Sequence, residues 1–372
     1  MTMISILDER VQIQIGDCLD VLAQMPSDSV DCVVTSPPYW GLRDYGVRGQ
    51  MGLEPTFADH LAVMVQVFAE VRRVLKSTGT CWINYGDCYA TTPNGKSAAE
   101  YKAEGTDDRT FRDKPFSTIG GVLKAKDLAM IPNRLAIALQ EDGWWVRSEI
   151  IWAKPNPMPE SIRDRPATAH EKIFMLTKSP RYFFDREAVK QPVSPNTNPR
   201  VSQDLARQEG SHRANGGGKT NGPMRAVVEG SARKLAAENQ AMIGQKASRE
   251  AALSIRVESR NLRNYEPAPV TVWNIATRGF SDAHFATFPP ELAERCILAG
   301  CPKDGIVLDP FGGAGTTALV AARRNRRAIL IELNPEYADI AKRRIEKEWR
   351  VGDDAPLSQA DLGPLFNTEI VG

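Results

Sequence analysis

The sequence lacks the features that mark several large classes of protein. No run of about 18 apolar residues occurs among its 372 residues, so no membrane-spanning helix is predicted. The six cysteines form no Cys-x-x-Cys pair and only four histidines are present, which argues against a zinc site and a disulfide framework. The formal net charge is only +1, so a surface for nucleic acid would require local segregation of charge.

Aromatic residues are absent from one long segment of the chain. No Phe, Tyr or Trp occurs in the 80 residues from Asp185 to Asn264, whereas aromatic residues make up 7% of the whole chain. Residues 186–264 contain 14 Lys and Arg against 7 Asp and Glu, so the small net charge conceals a strongly basic segment. Two interpretations stay open: a solvated linker, or an element that faces DNA and orders on its target.

Apolar periodicity elsewhere predicts strands that alternate with helices, the pattern of a doubly wound α/β sheet. Residues 86–121 interrupt this pattern with a polar stretch that is too long for an ordinary connection, and we predict either a mobile functional loop or a small insertion there. The predicted strands lie at 12–15, 31–35, 80–84, 144–152, 172–177, 270–273, 305–308 and 327–331, with 181–185 beside 172–177 as a further strand. The predicted helices lie at 60–76, with Gly79 after its end, and at 131–141, 290–299, 316–323 and 337–349.

One motif has the form of a nucleoside-binding unit. A predicted strand is followed by a turn with Gly312, Gly313 and Gly315 and then by the start of a helix. Glycines let the backbone approach a ligand closely, and the N–H groups of the helix start favour a negatively charged or carboxylate-bearing ligand. No Lys follows the last glycine, which excludes a phosphate P-loop. Glu332 ends the next strand, where its carboxylate can accept hydrogen bonds from ribose hydroxyls. Both NAD and S-adenosylmethionine (SAM) are ligands that such a unit can bind.

A second motif, residues 36–39, decides between these cofactors. The sequence Ser-Pro-Pro-Tyr follows directly on a predicted strand. An exocyclic amine of a base is a poor nucleophile, because its lone pair is delocalised into the ring. Ser36 and the carbonyl of Pro37 can each accept one N–H and leave the lone pair directed at a methyl group, while Tyr39 offers a flat face to an extruded base. These properties favour SAM as the cofactor.

In these two motifs the sequence resembles the β class of DNA amino-methyltransferases, which act on N4 of cytosine or N6 of adenine. The resemblance rests on residues 35–39 and 308–316 and covers 11–185 and 270–349. The catalytic motif precedes the cofactor motif, which resembles a circular permutation of the Rossmann-like, SAM-dependent methyltransferase sheet. The implied organisation is a catalytic half at 1–185, a target-recognition region at 186–264, a SAM-binding half at 265–350 and a tail at 351–372.

The resemblance also implies roles for single residues, and the charge pattern adds candidate contacts to DNA. The catalytic residues would be Ser36, Pro37, Pro38 and Tyr39, and the region of Trp152 and Lys154 would flank the base. The SAM-binding residues would be Asp17, Cys18, Phe285, Thr287, Phe288, Asp309, Phe311, Gly312, Gly313, Gly315, Thr316 and Glu332. The cations expected on DNA are Lys96, Arg109, Arg112, Arg200, Arg207, Arg213, Arg225, Arg256 and Arg260. No metal is required, since SAM carries the electrophile itself.

We therefore expect a site-specific DNA methyltransferase of the restriction-modification type, with double-stranded DNA as its partner. A bacterial or phage-type cytoplasmic location near the nucleoid is expected, without a membrane, and a homodimer is left open. The serine in residues 36–39 leans towards cytosine N4, but adenine N6 remains an alternative. C5 methylation is excluded because no Pro-Cys occurs. An NAD-dependent oxidoreductase would use only the glycine turn, and a non-catalytic DNA-binding protein would use only residues 186–264.

Overall fold

A nine-stranded sheet runs through the part of the chain that the computed structural model describes, residues 2–44, 47–92, 116–189, 270–277 and 288–350. These residues belong to one unit that is assembled from both sides of the gap at 190–269. The strands lie in the spatial order β1-β2-β9-β8-β3-β4-β6-β5-β7. Their bounds are β1 (Thr2–Ile6), β2 (Val11–Ile15), β3 (Val30–Thr35), β4 (Leu75–Tyr85), β5 (Trp145–Ala153), β6 (His170–Thr177), β7 (Val272–Asn274), β8 (Ile306–Asp309) and β9 (Arg327–Glu332).

Helices cover both faces of this sheet. Successive side chains of a strand point to opposite faces, so Val33 packs with one group of helices while Cys32 and Val34 pack with the other. The first group is α1 (Cys18–Gln24), α2 (Phe57–Val74) and α3 (Ile131–Glu141), and the second is α4 (Pro290–Gly300), α5 (Thr316–Arg323) and α6 (Pro335–Glu348). The predicted doubly wound α/β architecture is therefore confirmed.

Parallel pairing joins the two halves of the chain at the centre of the sheet. Strand β3 pairs with β8 through Cys32↔Val307 and Val33↔Leu308, although the two strands are far apart in sequence. Strands β2, β9, β8, β3 and β4 are parallel to one another, whereas β6 runs antiparallel to both β4 and β5. Both sequence motifs follow strands of the parallel part, so they meet at one edge of the sheet.

Several sequence predictions differ from the structure in their details. Gly79 does not follow the end of a helix, because α2 ends at Val74 and β4 begins at once with Leu75. A Cβ atom at Gly79 would lie 2.9 Å from the Asp31 carbonyl oxygen, so only glycine fits at this position of the strand. Residues 181–185 form no strand beside β6; the N–H of Phe183 instead donates to the Thr78 carbonyl. Strand β1 and helix α1 were not predicted.

The start of helix α5 depends on one glycine of the glycine turn. Gly315 adopts a φ of +76°, a backbone conformation that residues other than glycine rarely adopt. A Cβ atom there would lie 3.0 Å from both Ala341 and Ile345 of α6. The absence of a side chain at this glycine therefore allows α5 to pack closely on α6.

None of the helices within the described ranges is both long and apolar enough to cross a bilayer. Residues 93–115 and 190–269, which contain all nine cations expected on DNA, lie outside the described residues. Most of the predicted loop at 86–121 and all of the predicted tail at 351–372 lie outside them too.

Candidate functional site

A buried carboxyl group holds the two motifs together. Asp309, the last residue of β8, accepts hydrogen bonds from the hydroxyls of Thr35 and Thr317, each at 2.7 Å, and from the backbone N–H of Phe311 at 3.1 Å. Thr35 is the last residue of β3 and directly precedes Ser36, so this carboxyl group links the end of one motif strand to the end of the other. The side chain of Asp309 is almost completely buried.

Burial has a large effect on the ionisation of Asp309. Desolvation raises the pKa of this carboxyl to about 7, although the hydrogen bonds from Thr317, Thr35 and Phe311 oppose the shift. A protonated Asp309 can donate to the Thr317 hydroxyl, which then donates to the Val34 carbonyl, 3.2 Å away. The neutral acid therefore has a complete set of hydrogen-bond partners, as the ionised form has.

The glycine turn is fixed by a second carboxylate, at the end of β9. One oxygen of Glu332 accepts from the N–H of Gly313 at 2.8 Å, and the other accepts from the N–H of Asn334 at 2.9 Å. Burial raises the pKa of Glu332, and these backbone donors oppose the shift. A carboxylate has about four acceptor positions, so Glu332 can accept further hydrogen bonds from a ligand.

The end of β2 contributes the next wall of the site. Asp17 caps helix α1 by accepting from the N–H of Leu19 at 2.8 Å. Cys18 is buried beside it, and burial, together with the charge of Asp17, raises the pKa of this thiol to about 12. The thiol is therefore protonated at neutral pH and is not a nucleophile.

The Ser-Pro-Pro-Tyr turn is tied into a polar network. The Ser36 hydroxyl lies 3.3 Å from the Tyr39 hydroxyl and donates to it, and the Tyr39 hydroxyl donates to a carboxylate oxygen of Glu171 at 2.8 Å. The side-chain amide of Asn84 donates to both Tyr39 and Glu171, at 2.9 and 2.8 Å. Burial and the charge of Glu171 raise the pKa of Tyr39 well above its ordinary value, so its phenol remains a donor.

A lysine completes this network on the other side of Glu171. Lys154 forms an ion pair with Glu171, and its ammonium group lies 4.5 Å from the centre of the Trp152 ring. The side chains of Lys154 and Glu171 are about four-fifths buried, at 19% and 17% exposure. An ion pair that is this shielded from water keeps its geometry better than one on the surface.

One cavity of about 530 Å³ is bordered by both motifs. The predicted residues around it are all four of the Ser-Pro-Pro-Tyr turn and most of the cofactor set. They are Asp17, Cys18, Ser36, Pro37, Pro38, Tyr39, Trp152, Lys154, Phe288, Asp309, Phe311, Gly312, Gly313, Thr316 and Glu332. Gly315 does not border the cavity but packs against α6, while Phe285 and Thr287 lie outside the described residues.

Sequence reasoning did not find Asn84 and Glu171. Asn84 lies near the end of β4 and Glu171 near the start of β6, and these strands are antiparallel neighbours, so both side chains reach Tyr39. The sequence predicts each strand but not their adjacency. A polar residue at the end of an otherwise apolar strand was the available signal for Asn84. Arg43, Gln50, Met51, Met158 and Tyr337 also border the cavity and were not predicted.

Known proteins resemble this chain in sequence over most of its length. The family model N6_N4_Mtase, described as DNA methylase, matches residues 30–343. The chain is 42% identical to "Type II methyltransferase M.XycI" of Xanthomonas campestris pv. cyanopsidis, over 89% of this chain and 86% of that protein. It is 41% identical to "Type II methyltransferase M.Cfr9I" of Citrobacter freundii, over 90% of this chain and 87% of that protein.

A solved structure shares the fold. The "PvuII DNA methyltransferase (cytosine-N4-specific)" superposes with a TM-score of 0.54 at 18% sequence identity, over 90% of this chain and 86% of that chain. At this identity the likeness concerns the fold. This likeness confirms the predicted fold, a Rossmann-like methyltransferase sheet.

The raised pKa of Asp309 predicts a specific pH dependence of stability. Because the folded state raises this pKa from 3.8 to about 7, it binds more protons than the unfolded state between these values. The free energy of unfolding should therefore fall with rising pH in this window, by on the order of 3–4 kcal/mol. Asp309→Asn removes the titration but keeps the hydrogen bonds, so its stability relative to the natural protein should increase from pH 4 to 7.

Urea unfolding of the ligand-free protein at several pH values measures this difference. Asp339→Asn, at an exposed aspartate of α6, is the matched control and should show no such trend. A difference between Asp309→Asn and the natural protein that stays constant from pH 4 to 8 would contradict the assignment.

Proposed function

This chain belongs to the DNA methylase family, and we propose that it transfers a methyl group from SAM to the exocyclic amine of a base extruded from double-stranded DNA. The observation that carries this proposal is the shared cavity, in which the Ser-Pro-Pro-Tyr turn and the glycine turn lie on one continuous surface. A methyl donor and an acceptor amine must meet within bonding reach, and a single cavity lets them do so.

The chemistry of the cofactor half fits SAM better than a dinucleotide. Glu332 has acceptor positions left for ribose hydroxyls, and Phe311 and Ile331 offer apolar surface to an adenine ring. Asp17 and Glu332 border this half, whereas the only Lys or Arg residues on the described cavity wall, Arg43 and Lys154, belong to other segments. Carboxylates suit a ligand with a sulfonium and an ammonium group, and their negative charge disfavours a pyrophosphate. This disfavours an NAD-dependent oxidoreductase.

SAM supplies an electrophilic methyl group when it is bound, and the chain orients the amine that attacks it. The Ser36 hydroxyl donates a hydrogen bond to Tyr39, so its oxygen can accept one N–H of the target amine. The Pro37 carbonyl accepts the second N–H. With both hydrogens held in this way, the nitrogen lone pair turns out of conjugation with the ring and towards the methyl group.

Glu171 and Lys154 hold the base-binding half in place. Glu171 accepts from Tyr39 and Asn84 and is ion-paired with Lys154, so one carboxylate fixes three side chains around the base. Lys154 has N–H groups besides the one given to Glu171, and these can donate to acceptors on the edge of the base ring. Tyr39 borders the cavity and offers ring surface on which an extruded base can stack.

The target base is assigned from the sequence of the Ser-Pro-Pro-Tyr turn. Ser36 occupies the position at which other members of the family have the acid of an Asp-Pro-Pro-Tyr motif, and the form with serine favours N4 of cytosine. We propose cytosine N4 as the first candidate and adenine N6 as the second, since the same acceptors can hold either amine.

Segments outside the described residues are assigned to DNA in this proposal. Residues 186–264 would read the target sequence, because this region is basic and lies between the catalytic and SAM-binding halves of the chain. Lys96, Arg109 and Arg112, which lie between β4 and α3 in the sequence, would contact phosphates. Action on cellular DNA in a bacterial cytoplasm fits the bacterial origin of the two curated relatives; a homodimer stays a prediction.

The direct test uses SAM with a tritiated methyl group and plasmid DNA. After digestion, the label should elute with N4-methylcytosine, or with N6-methyladenine if the second candidate is right. Ser36→Ala removes one acceptor for the amine and should slow methylation by about 10- to 100-fold, while SAM affinity changes little.

Thr92→Ala, at an exposed threonine, serves as a control that removes a hydroxyl elsewhere. Label in 5-methylcytosine, or no label in any nucleoside, would overturn the proposed reaction.

The contribution of the Tyr39 hydroxyl can be measured separately from that of the Tyr39 ring. Tyr39→Phe keeps the ring but releases Ser36 from its hydrogen bond, so the methylation rate at saturating DNA should fall by roughly 5- to 150-fold, equivalent to about 1–3 kcal/mol. Tyr39→Ala should in addition raise the DNA KM, because the stacking surface is lost. Rapid-quench kinetics with both variants measures these effects. A Tyr39→Phe rate equal to that of the natural protein would contradict the role given to the hydroxyl.

Sequence readout predicts two classes of arginine in residues 186–264. An arginine that contacts only phosphate should change affinity and its salt dependence uniformly over all targets. An arginine that reads guanine should relax the target at one position, at a cost of about 1–3 kcal/mol. An alanine scan of Arg200, Arg207, Arg213, Arg225, Arg256 and Arg260, read by mapping methylation over a genome, distinguishes them. If every variant keeps the parental target, the readout lies in another segment.

A further inference from the structure

Behind the Ser-Pro-Pro-Tyr turn, the hydroxyl of Tyr85 holds the backbone on both sides of Tyr39. It donates to the Pro38 carbonyl at 3.1 Å and accepts from the Trp40 N–H at 3.1 Å. The ring of Tyr85 also stacks on the ring of Tyr39, with centroids 4.7 Å apart and planes inclined by 25°. Tyr39 is thus fixed by its own ring and by the two peptide groups that flank it.

A buried histidine lies behind Tyr85. His60, on helix α2, has no exposed surface, and its Nε2 atom lies 2.7 Å from the Tyr85 hydroxyl. Its Nδ1 atom lies 2.8 Å from a carboxylate oxygen of Glu54. Glu54 is held in turn by the N–H of Gly52, which lies 3.1 and 3.0 Å from its two carboxylate oxygens.

The contact between His60 and Glu54 fixes the orientation of the imidazole ring. A carboxylate only accepts, so Nδ1 donates to Glu54. Nε2 is then directed at the Tyr85 hydroxyl, whose oxygen also lies within hydrogen-bond distance of the Pro38 carbonyl and the Trp40 N–H. Glu54 therefore holds His60, and His60 holds the Tyr85 hydroxyl.

Shifts in pKa at the two ends of this chain agree with this arrangement. Burial acts to raise the pKa of Glu54, but the hydrogen bond from His60 and the electrostatic effect of this ring outweigh it and hold the pKa below its ordinary value. Burial raises the pKa of Tyr85 well above its ordinary value, so the phenol keeps its proton.

We propose that Glu54, His60 and Tyr85 form a positioning network for methyl transfer, in which Glu54 orients His60, and His60 holds the Tyr85 hydroxyl between the Pro38 carbonyl and the Trp40 N–H and so fixes the catalytic turn. None of the three side chains borders the cavity, and they act only through the turn. The inference rests on the proposed function for its kinetic consequences, whereas the proton positions can be tested without it.

The proton positions are measured by ¹⁵N NMR of protein labelled at its four histidines. The resonances that disappear in His60→Gln belong to His60, and the shift of Nδ1 should be that of a nitrogen that carries a proton, because Nδ1 donates to Glu54. A His60 whose Nδ1 carries no proton would overturn this network, whether or not the protein methylates DNA.

The positioning role is measured by single-turnover methylation. Tyr85→Phe keeps the ring on Tyr39 but removes the hydroxyl, and it should slow methyl transfer by about 10- to 100-fold while SAM affinity and DNA KM change less than about twofold. His60→Gln should slow it in the same way. Because both act through one hydroxyl, the double variant should be no slower than Tyr85→Phe alone.

Tyr182→Phe is the matched control, because this tyrosine accepts a hydrogen bond from Arg147 at 3.1 Å and lies outside the cavity wall. Thermal unfolding establishes that each variant is folded. Equal losses of SAM affinity and rate in Tyr85→Phe, or additive losses in the double variant, would overturn the positioning role. A natural protein that methylates no DNA would instead overturn the proposed function, and the NMR result would stand apart from it.

Discussion

The buried carboxyl group of Asp309 is the contact on which the site depends. It joins Thr35 of β3 to the glycine turn after β8, and these residues are 274 positions apart in the chain. Besides this carboxyl, the pairing of β3 with β8 and the contact of Thr317 with the Val34 carbonyl join the two motif strands. A carboxyl that desolvation keeps near neutrality, with a pKa of about 7, can remain in this junction without an ionic partner.

Two further carboxylates hold the rest of the site in place around that junction. Glu332 fixes the glycine turn through backbone N–H groups, and Glu171 fixes the Ser-Pro-Pro-Tyr turn through side chains. Each turn is therefore preorganised before a ligand binds, which lowers the reorganisation required for the reaction. Tyr85 and His60 extend the same principle to the layer behind the catalytic turn.

The sequence predicted the sheet and the meeting of the two motifs because both depend on local patterns. Helices α3 and α5 have the predicted bounds, and the turns follow strands whose apolar runs are evident. The contacts of Glu171, Asn84 and His60 were beyond sequence reasoning, because they depend on which strands and helices become neighbours. Glu171 reaches Tyr39 only since β6 pairs with β4, and no local pattern encodes that pairing. Gly315 shows a contact that its motif did not predict, because it packs against Ala341 and Ile345 of α6.

In the proposed reaction, one cavity brings the methyl donor and the target amine together at Ser36. The decisive experiment is a crystal structure with S-adenosylhomocysteine and a duplex that contains the mapped methylation site. We expect the ribose of the cofactor product to lie on Glu332 and the target base to be extruded, with its exocyclic nitrogen within hydrogen-bond distance of the Ser36 hydroxyl. A base that remains stacked in the duplex, or an extruded base whose amine faces away from Ser36, would contradict it.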